Sequence, residues 1–221
     1  MKCAVITPIG PGHKEIYARC AQSITDAAQN NKGPFLAIET IPMWDLQGKF
    51  GRSARRNTGM LQARKAGCDW LFFLDADDYL SPDAFSAVAD YIHDYDAVWG
   101  NICEAPSHDI NAVKLREGQL PAITSIDDIL HTDPFFTLQM GHFVKTSCAL
   151  DVKFDEKMNT GEDFKYYLQL WEKYRCIKAP AIFFINCRGN HSQGPKSADG
   201  REWRIAVTRE INNFKSRRPG N

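Results

Sequence analysis

Runs and periods of apolar residues divide the chain into strands and helices. Trp70-Leu71-Phe72-Phe73-Leu74 is an unbroken apolar run that stops at Asp75-Ala76-Asp77-Asp78. So short a run, bordered by charge, predicts a strand buried on both faces, as in the middle of a parallel sheet. Residues 3–6 predict a first strand that ends in a Pro- and Gly-bearing loop over 7–12. Ile16, Cys20, Ile24 and Ala27 recur at helical spacing, and residues 35–41 read as a second strand. Strand, helix, strand order implies a parallel pair joined by a right-handed crossover. After an irregular stretch over 43–51, a helix runs to Ala66 and stops at Gly67.

Beyond the central run, Ser81 as N-cap and Pro82 at the first helical position predict a helix with Phe85, Val88, Ala89 and Ile92 on its apolar stripe. Residues 97–103 read as a strand and 105–120 as a polar loop without period. Ser125 caps a short helix, and 135–145 is an apolar segment. Phe164, Tyr167, Leu168 and Trp171 mark the buried face of another helix. A last strand lies around 181–185, and Trp203, Val207, Ile211 and Phe214 define a closing amphipathic helix. The sum is an α/β fold in one unit over 1–221, with a mostly parallel sheet flanked by helices.

Charge and cysteine content narrow the class. Lys plus Arg and Asp plus Glu are equal at 27, so no net field points to nucleic acid or membrane. The seven cysteines stand singly, with no C-x-x-C pair, which predicts reduced buried thiols and a cytoplasmic location. The apolar run at the N-terminus is too short for a signal peptide, and no stretch is long enough to span a membrane.

Three clusters carry candidate chemistry. Asp75, Asp77 and Asp78 end a central strand, where ligands of open α/β sheets bind, and are hard oxygen donors suited to Mg²⁺ or Mn²⁺. Crowded carboxylates repel, so a cation, a hydrogen-bonding ligand or water must relieve them; Asp78 alternatively belongs only to the following turn. Arg52, Arg55 and Arg56 stand at a helix entrance, where free N–H groups and the dipole also favour an anion; a solvated basic face is the alternative. Glu162 and Asp163 open a helix that can aim one ionised carboxylate into a cleft, although Thr160 and Asp163 also fit a capping box. His142 reads as a satisfied structural histidine, with a substrate contact as the alternative. His191, in the Gly-rich loop 188–195, is a candidate nitrogen ligand, and residues 215–218 form a basic tail.

Three blocks in order resemble the family 2 glycosyltransferases, inverting enzymes with the GT-A fold. They are Gly51-x-Ser53-x-x-Arg56-Asn57-Thr58-Gly59, then Leu74-Asp75-Ala76-Asp77-Asp78-x-Leu80-x-Pro82, and Phe154-Asp155-Glu156 leading to Gly161-Glu162-Asp163. The middle block corresponds to the motif called DxD and the last to the ED motif, about 85 residues further on. The resemblance implies a nucleotide-diphosphate-sugar donor over residues 1–104 and a carbohydrate or other hydroxyl acceptor over 105–221. It implies Thr7 and Pro8 at the base and ribose, Arg52 or Arg56 near the phosphates, and Asp75 at the ribose or donor sugar. Asp77 would hold Mn²⁺ or Mg²⁺, with His191 as second ligand; Asp163 would be the general base, supported by Glu162. Two departures stand out. The acidic pair that reads the base after the second strand is missing, with Glu39 or Asp45 as replacements, and Arg55 replaces the usual Ala.

The expected activity is therefore metal-dependent, inverting transfer of a sugar, hexosyltransferase-like, in the setting of polysaccharide biosynthesis. The alternatives are a sugar-nucleotide-forming nucleotidyltransferase, against which the missing Gly-rich phosphate loop counts, and a catalytically silent nucleotide- or carbohydrate-binding protein.

Overall fold

The computed structural model describes residues 1–106, 109, 111–188 and 200–218. Its main sheet has six strands in the order β2-β1-β3-β8-β5-β9. These are β1 (Lys2–Ile9), β2 (Ala37–Trp44), β3 (Trp70–Phe73), β5 (Ala97–Trp99), β8 (His142–Lys145) and β9 (Cys176–Lys178). β1 runs parallel to β2 and β3, and β5 parallel to β9; only β8 is reversed, between β3 and β5. A second, mixed sheet is formed by β4 (Tyr79–Leu80), β10 (Phe184–Arg188), β6 (Cys103–Pro106) and β7 (Lys114–Leu115).

All four residues of β3 are buried, as the apolar run requires of a strand with helices over both faces. On one face lie α1 (Tyr17–Asn30) and α3 (Ala84–Ala87), which with the turns after α3 contribute Cys20, Ile24, Ala27, Phe85, Val88 and Ile92 to the core. Residue 16 is only half-buried, and Tyr17 takes the expected core position. On the other face lie α2 (Arg52–Lys65), α5 (Thr146–Val152), α6 (Glu162–Lys173) and α7 (Gly200–Ser216), while α4 (Ile126–His131) packs on α6. Gly59 lets α2 approach the sheet, because a Cβ there would lie 2.5 Å from Ile6 Cγ2.

Several boundaries differ from the sequence-based expectation. β1 continues through Thr7, Pro8 and Ile9 rather than ending at Ile6. Pairing with β3 stops at Ile6, so beyond it β1 has a strand neighbour on one side only, where a residue lacking an N–H is tolerated. Ser81 is not an N-cap: Tyr79 and Leu80 form β4, the helical segment is only Ala84–Ala87, and Ser81 accepts the N–H of Ala84 through its carbonyl. The strand expected over 97–103 is two strands in different sheets, split at residues 100–102. The loop expected over 105–120 contains β7, and the last strand falls at Phe184–Arg188, with β9 before it. The Ser125 cap is as expected: its hydroxyl accepts the N–H of Asp127 at 3.0 Å.

His142 is fully buried but held by packing, not by polar contacts. Its ring stacks on Trp99 at 4.4 Å, and neither nitrogen has a hydrogen-bond partner among the described residues. Burial lowers its pKa to about 3. All seven cysteines are free and buried, and no helix among the described residues is long and apolar enough to cross a membrane.

Candidate active site

The carboxyl ends of β1 and β3 and the entrances of α2 and α6 meet at one rim of the main sheet. Leu74 continues β3 by donating its N–H to the Ile6 carbonyl, and the chain then turns, with Asp78 N–H donating to the Asp75 carbonyl. Asp78 points inward. Its Oδ1 accepts the Asn186 side-chain amide at 3.1 Å and the Cys187 N–H at 2.9 Å, anchoring the acid loop to β10. Burial, then Asp77 and Asp75, push the Asp78 pKa well up despite these donors. Asp77 is half-buried, and burial followed by the charge of Asp75 raises it to about 7.

Asp75 faces the arginines of α2. Arg56 Nη2 donates to Asp75 Oδ1 at 2.6 Å, and Arg56 Nη1 reaches Glu162 Oε1 at 3.4 Å. Arg52 grips Glu162 through Nε and through Nη2 at 3.2 Å, and Nη2 also donates to the Asn159 carbonyl at 3.0 Å. Arg56 is 2% exposed and Glu162 1%, whereas Arg52 and Asp75 are 37% and 36% exposed. Two buried ions are thus paired with two partners that meet solvent. The expected Arg cluster is therefore not a solvated face: two of its members bind carboxylates, and Arg55 lies over the Phe50 ring at 4.0 Å.

Asp163 stands beside Glu162 at the start of α6. The capping box with Thr160 does not form; Gly161 is the N-cap, at φ 73°, without a side-chain bond. Asp163 Oδ1 instead accepts the N–H of Phe164 at 2.8 Å. Burial and then the Glu162 charge raise its pKa to about 6, opposed by Arg52 and Arg56. It is mostly ionised at neutral pH and able to take up a proton just below it.

Of the other residues singled out in the sequence, Thr7 and Pro8 are buried in the end of β1. Asp45 accepts the N–H groups of Lys49, Phe50 and Gly51 at 2.7–2.9 Å and so shapes the turn into α2; Glu39 is exposed on the edge strand β2. His191 lies outside the described residues. Among the described residues no group of three or more His, Cys, Asp or Glu is arranged to hold a metal ion.

Two contributors escaped the sequence reading. Asn57 clasps the chain before α6, donating to the Phe154 carbonyl and accepting the Phe154 N–H, both at 2.9 Å. Trp203 on α7 points its indole N–H at Asp163. Asn57 sits inside a quoted block, so its position was the available signal; Trp203 carried only a stripe.

An open, mostly parallel sheet with acids and arginines converging at the carboxyl rim defines the class of α/β proteins that handle a ligand at a strand-end crevice. The family described as Glycosyl transferase family 2 matches residues 44–158, just over half of the chain. The chain belongs to that family and is a glycosyltransferase, with the GT-A arrangement expected from its sequence. No curated protein matches it. Among solved structures it is similar to S. aureus TarS 1-349 in complex with UDP-GlcNAc, at TM-score 0.69 and 15% identity over 100% of this chain and 68% of that one. The TarS 1-349 complex with UDP gives TM-score 0.64 at 15% identity, over 100% and 67% of the two chains. A further S. aureus TarS structure gives 0.62 at 16% identity, over 85% of this chain; the match spans only 37% of that one. At such identities the likeness is one of fold.

Proposed function

We propose that this glycosyltransferase takes a sugar from a nucleotide-diphosphate sugar, UDP-sugars first among them, and passes it to an acceptor hydroxyl with inversion. The observation that carries this reading is the buried Arg56, whose guanidinium joins Asp75 after β3 to Glu162 at the start of α6. Acids 87 residues apart in sequence are thereby held on one guanidinium at the sheet rim. The nucleotide in the TarS complexes suggests uridine as the first base to test.

In this reading the base and ribose lie over the end of β1 at Thr7 and Pro8, and Asp75 accepts from the ribose or donor sugar. Arg52, being more than one-third exposed, is the arginine we assign to a phosphate. Arg56 acts through the carboxylates it holds. The bond from the anomeric carbon to the diphosphate oxygen breaks, and its electron pair leaves with the diphosphate. The acceptor oxygen bonds to the opposite face of that carbon while its proton passes to Asp163, and Glu162, fixed by two arginines, supports the base. General-base assistance is worth about 10²–10⁴ in rate.

Mn²⁺ or Mg²⁺ fits the residues present as a guest of one carboxylate. Asp75 is engaged by Arg56 and Asp78 by β10, which leaves Asp77, a crowded half-buried acid bonded to no side chain among the described residues. Mg²⁺ is commonly held by one or two carboxylates with substrate phosphates and water. When bound, such an ion supplies positive charge to the departing diphosphate. His191 remains a proposed further ligand, and a carbohydrate the proposed acceptor.

The test is UDP release from a panel of UDP-sugars, with and without mixed oligosaccharide acceptors, for wild type and Asp163→Asn. The variant is expected to bind donor normally and to lose turnover by about 10²–10⁴. Near-normal turnover would remove Asp163 from the role.

A further inference from the structure

Trp203 sits in the first turns of α7, and its Nε1–H is shared between the two carboxylate oxygens of Asp163, at 3.3 Å to Oδ1 and 3.4 Å to Oδ2. The indole is half-buried, and its ring meets buried Phe164 edge-on at 6.4 Å, so the N–H direction is set by packing. α7 reaches this position because residue 161 has no side chain: a Cβ there would stand 2.9 Å from Ala206 Cβ. The Phe164 N–H and the Trp203 N–H together approach both oxygens of one carboxylate. A base becomes effective when a third group fixes its orientation, and donors to a carboxylate favour its ionised form.

We propose that Trp203 is a positioning residue for the transfer reaction, holding the Asp163 carboxylate in one orientation and in its ionised state through the indole N–H. The proposal rests on the reading of Asp163 as general base. The contact distances are long for a charged acceptor, as catalytic hydrogen bonds often are before substrate binds. Among the described residues, the charged groups acting on Asp163 are Glu162 beside it, which disfavours its charge, and Arg52 and Arg56 from α2, which favour it, as the Phe164 N–H also does. Tyr167, one turn along α6, feels the Asp163 charge in return. Trp203 differs from the arginines in adding a donor without adding charge, so its removal leaves the charge balance at the rim intact.

The experiment has a spectroscopic and a kinetic arm. The protein contains five tryptophans, so an ¹⁵N–¹H spectrum of the ligand-free protein has five indole resonances, and Trp203→Phe identifies the one that vanishes. That resonance is expected to follow pH with the Asp163 midpoint and to stop doing so in Asp163→Asn. In the kinetic arm, Trp203→Phe is expected to lower kcat roughly 10- to 100-fold, the scale of a hydrogen bond to a charged group. The acid limb of its pH profile moves up by about one unit, while KM for the donor stays the same. Should the smaller ring disturb α7, benzothienylalanine at 203 keeps the bicyclic shape and lacks the N–H; the same kinetic loss is expected. A Trp203 resonance indifferent to Asp163, or an N–H-free variant with unchanged kcat and acid limb, overturns the proposal. If the wild type turns over no sugar nucleotide, the general-base reading fails, and the resonance arm still reports whether the contact exists.

Discussion

Two buried ion networks in this molecule use the same residue types in opposite ways. Beneath the second sheet, Arg116 donates from Nε to Glu104 at 2.7 Å, from Nη1 to the Phe135 carbonyl at 2.7 Å and from Nη2 to Gln139 at 2.9 Å. Its guanidinium also lies 3.9 Å over the Phe135 ring. Nearby, the fully buried Lys178 donates to the Thr137 carbonyl and to Gln119, and burial lowers its pKa to about 7. Among the described residues each of these charges meets donors or acceptors from neighbouring segments, as a network that holds the fold requires. At the rim of the main sheet, Arg56 and Glu162 are as deeply buried, yet Asp75 and Arg52 open to solvent, and Asp77 and Asp163 are both pushed up in pKa. Strained protonation beside open side chains suits the proposed ligand site, whereas charges enclosed by their neighbours suit a joint.

Mutation separates the two most sharply through stability. Glu104→Ala removes the carboxylate that Arg116 Nε meets at 2.7 Å and is expected to cost about 3–5 kcal/mol in urea unfolding, the usual penalty for breaking a buried pair from one side. Glu162→Ala is expected to cost less, because Arg52 can turn to water, but to abolish most turnover. Equal stability losses with turnover retained in Glu162→Ala would erase the distinction. Next in size, Asp77→Ala is expected to remove the gain in donor affinity that Mn²⁺ brings, leaving a tenfold or weaker remnant, as read by calorimetric titration of UDP with and without the ion. The same gain in variant and wild type would clear Asp77 of metal binding. The smallest effect is in pH. As the proposed base, Asp163 would have to be ionised to accept a proton, and burial raises its pKa to about 6, so kcat is expected to be level above neutrality and to fall as pH drops through that value, about tenfold per unit at the steepest. A rate still level at pH 5 would contradict this.

What the sequence disclosed was local. The strand at Trp70 and its acidic stop were legible because an apolar run and its border lie within a few residues, and the α1 and α6 stripes because their period does. The partners of Arg56 were not, since one is 106 residues away and nothing in the α2 sequence distinguishes a solvated guanidinium from a buried one. Pro8 misled for a similar reason: its effect on β1 depends on where β3 stops. Trp203 fitted the apolar stripe of α7, and a stripe says nothing of where an indole N–H points. The split of residues 97–103 into two sheets reflects pairing with β10 and β9, both from the last quarter of the chain.

The bond from β10 to Asp78 reaches further than it looks. A recombinant piece confined to the matched segment 44–158 would retain each of the three rim aspartates, yet it would lack the Cys187 amide that fixes their loop, the strand β1 against which β3 lies, and the α6 carboxylates. The stretch by which the family is recognised is therefore not a minimal enzyme, and dissecting this protein into smaller working parts has to begin by leaving both ends of the described chain attached.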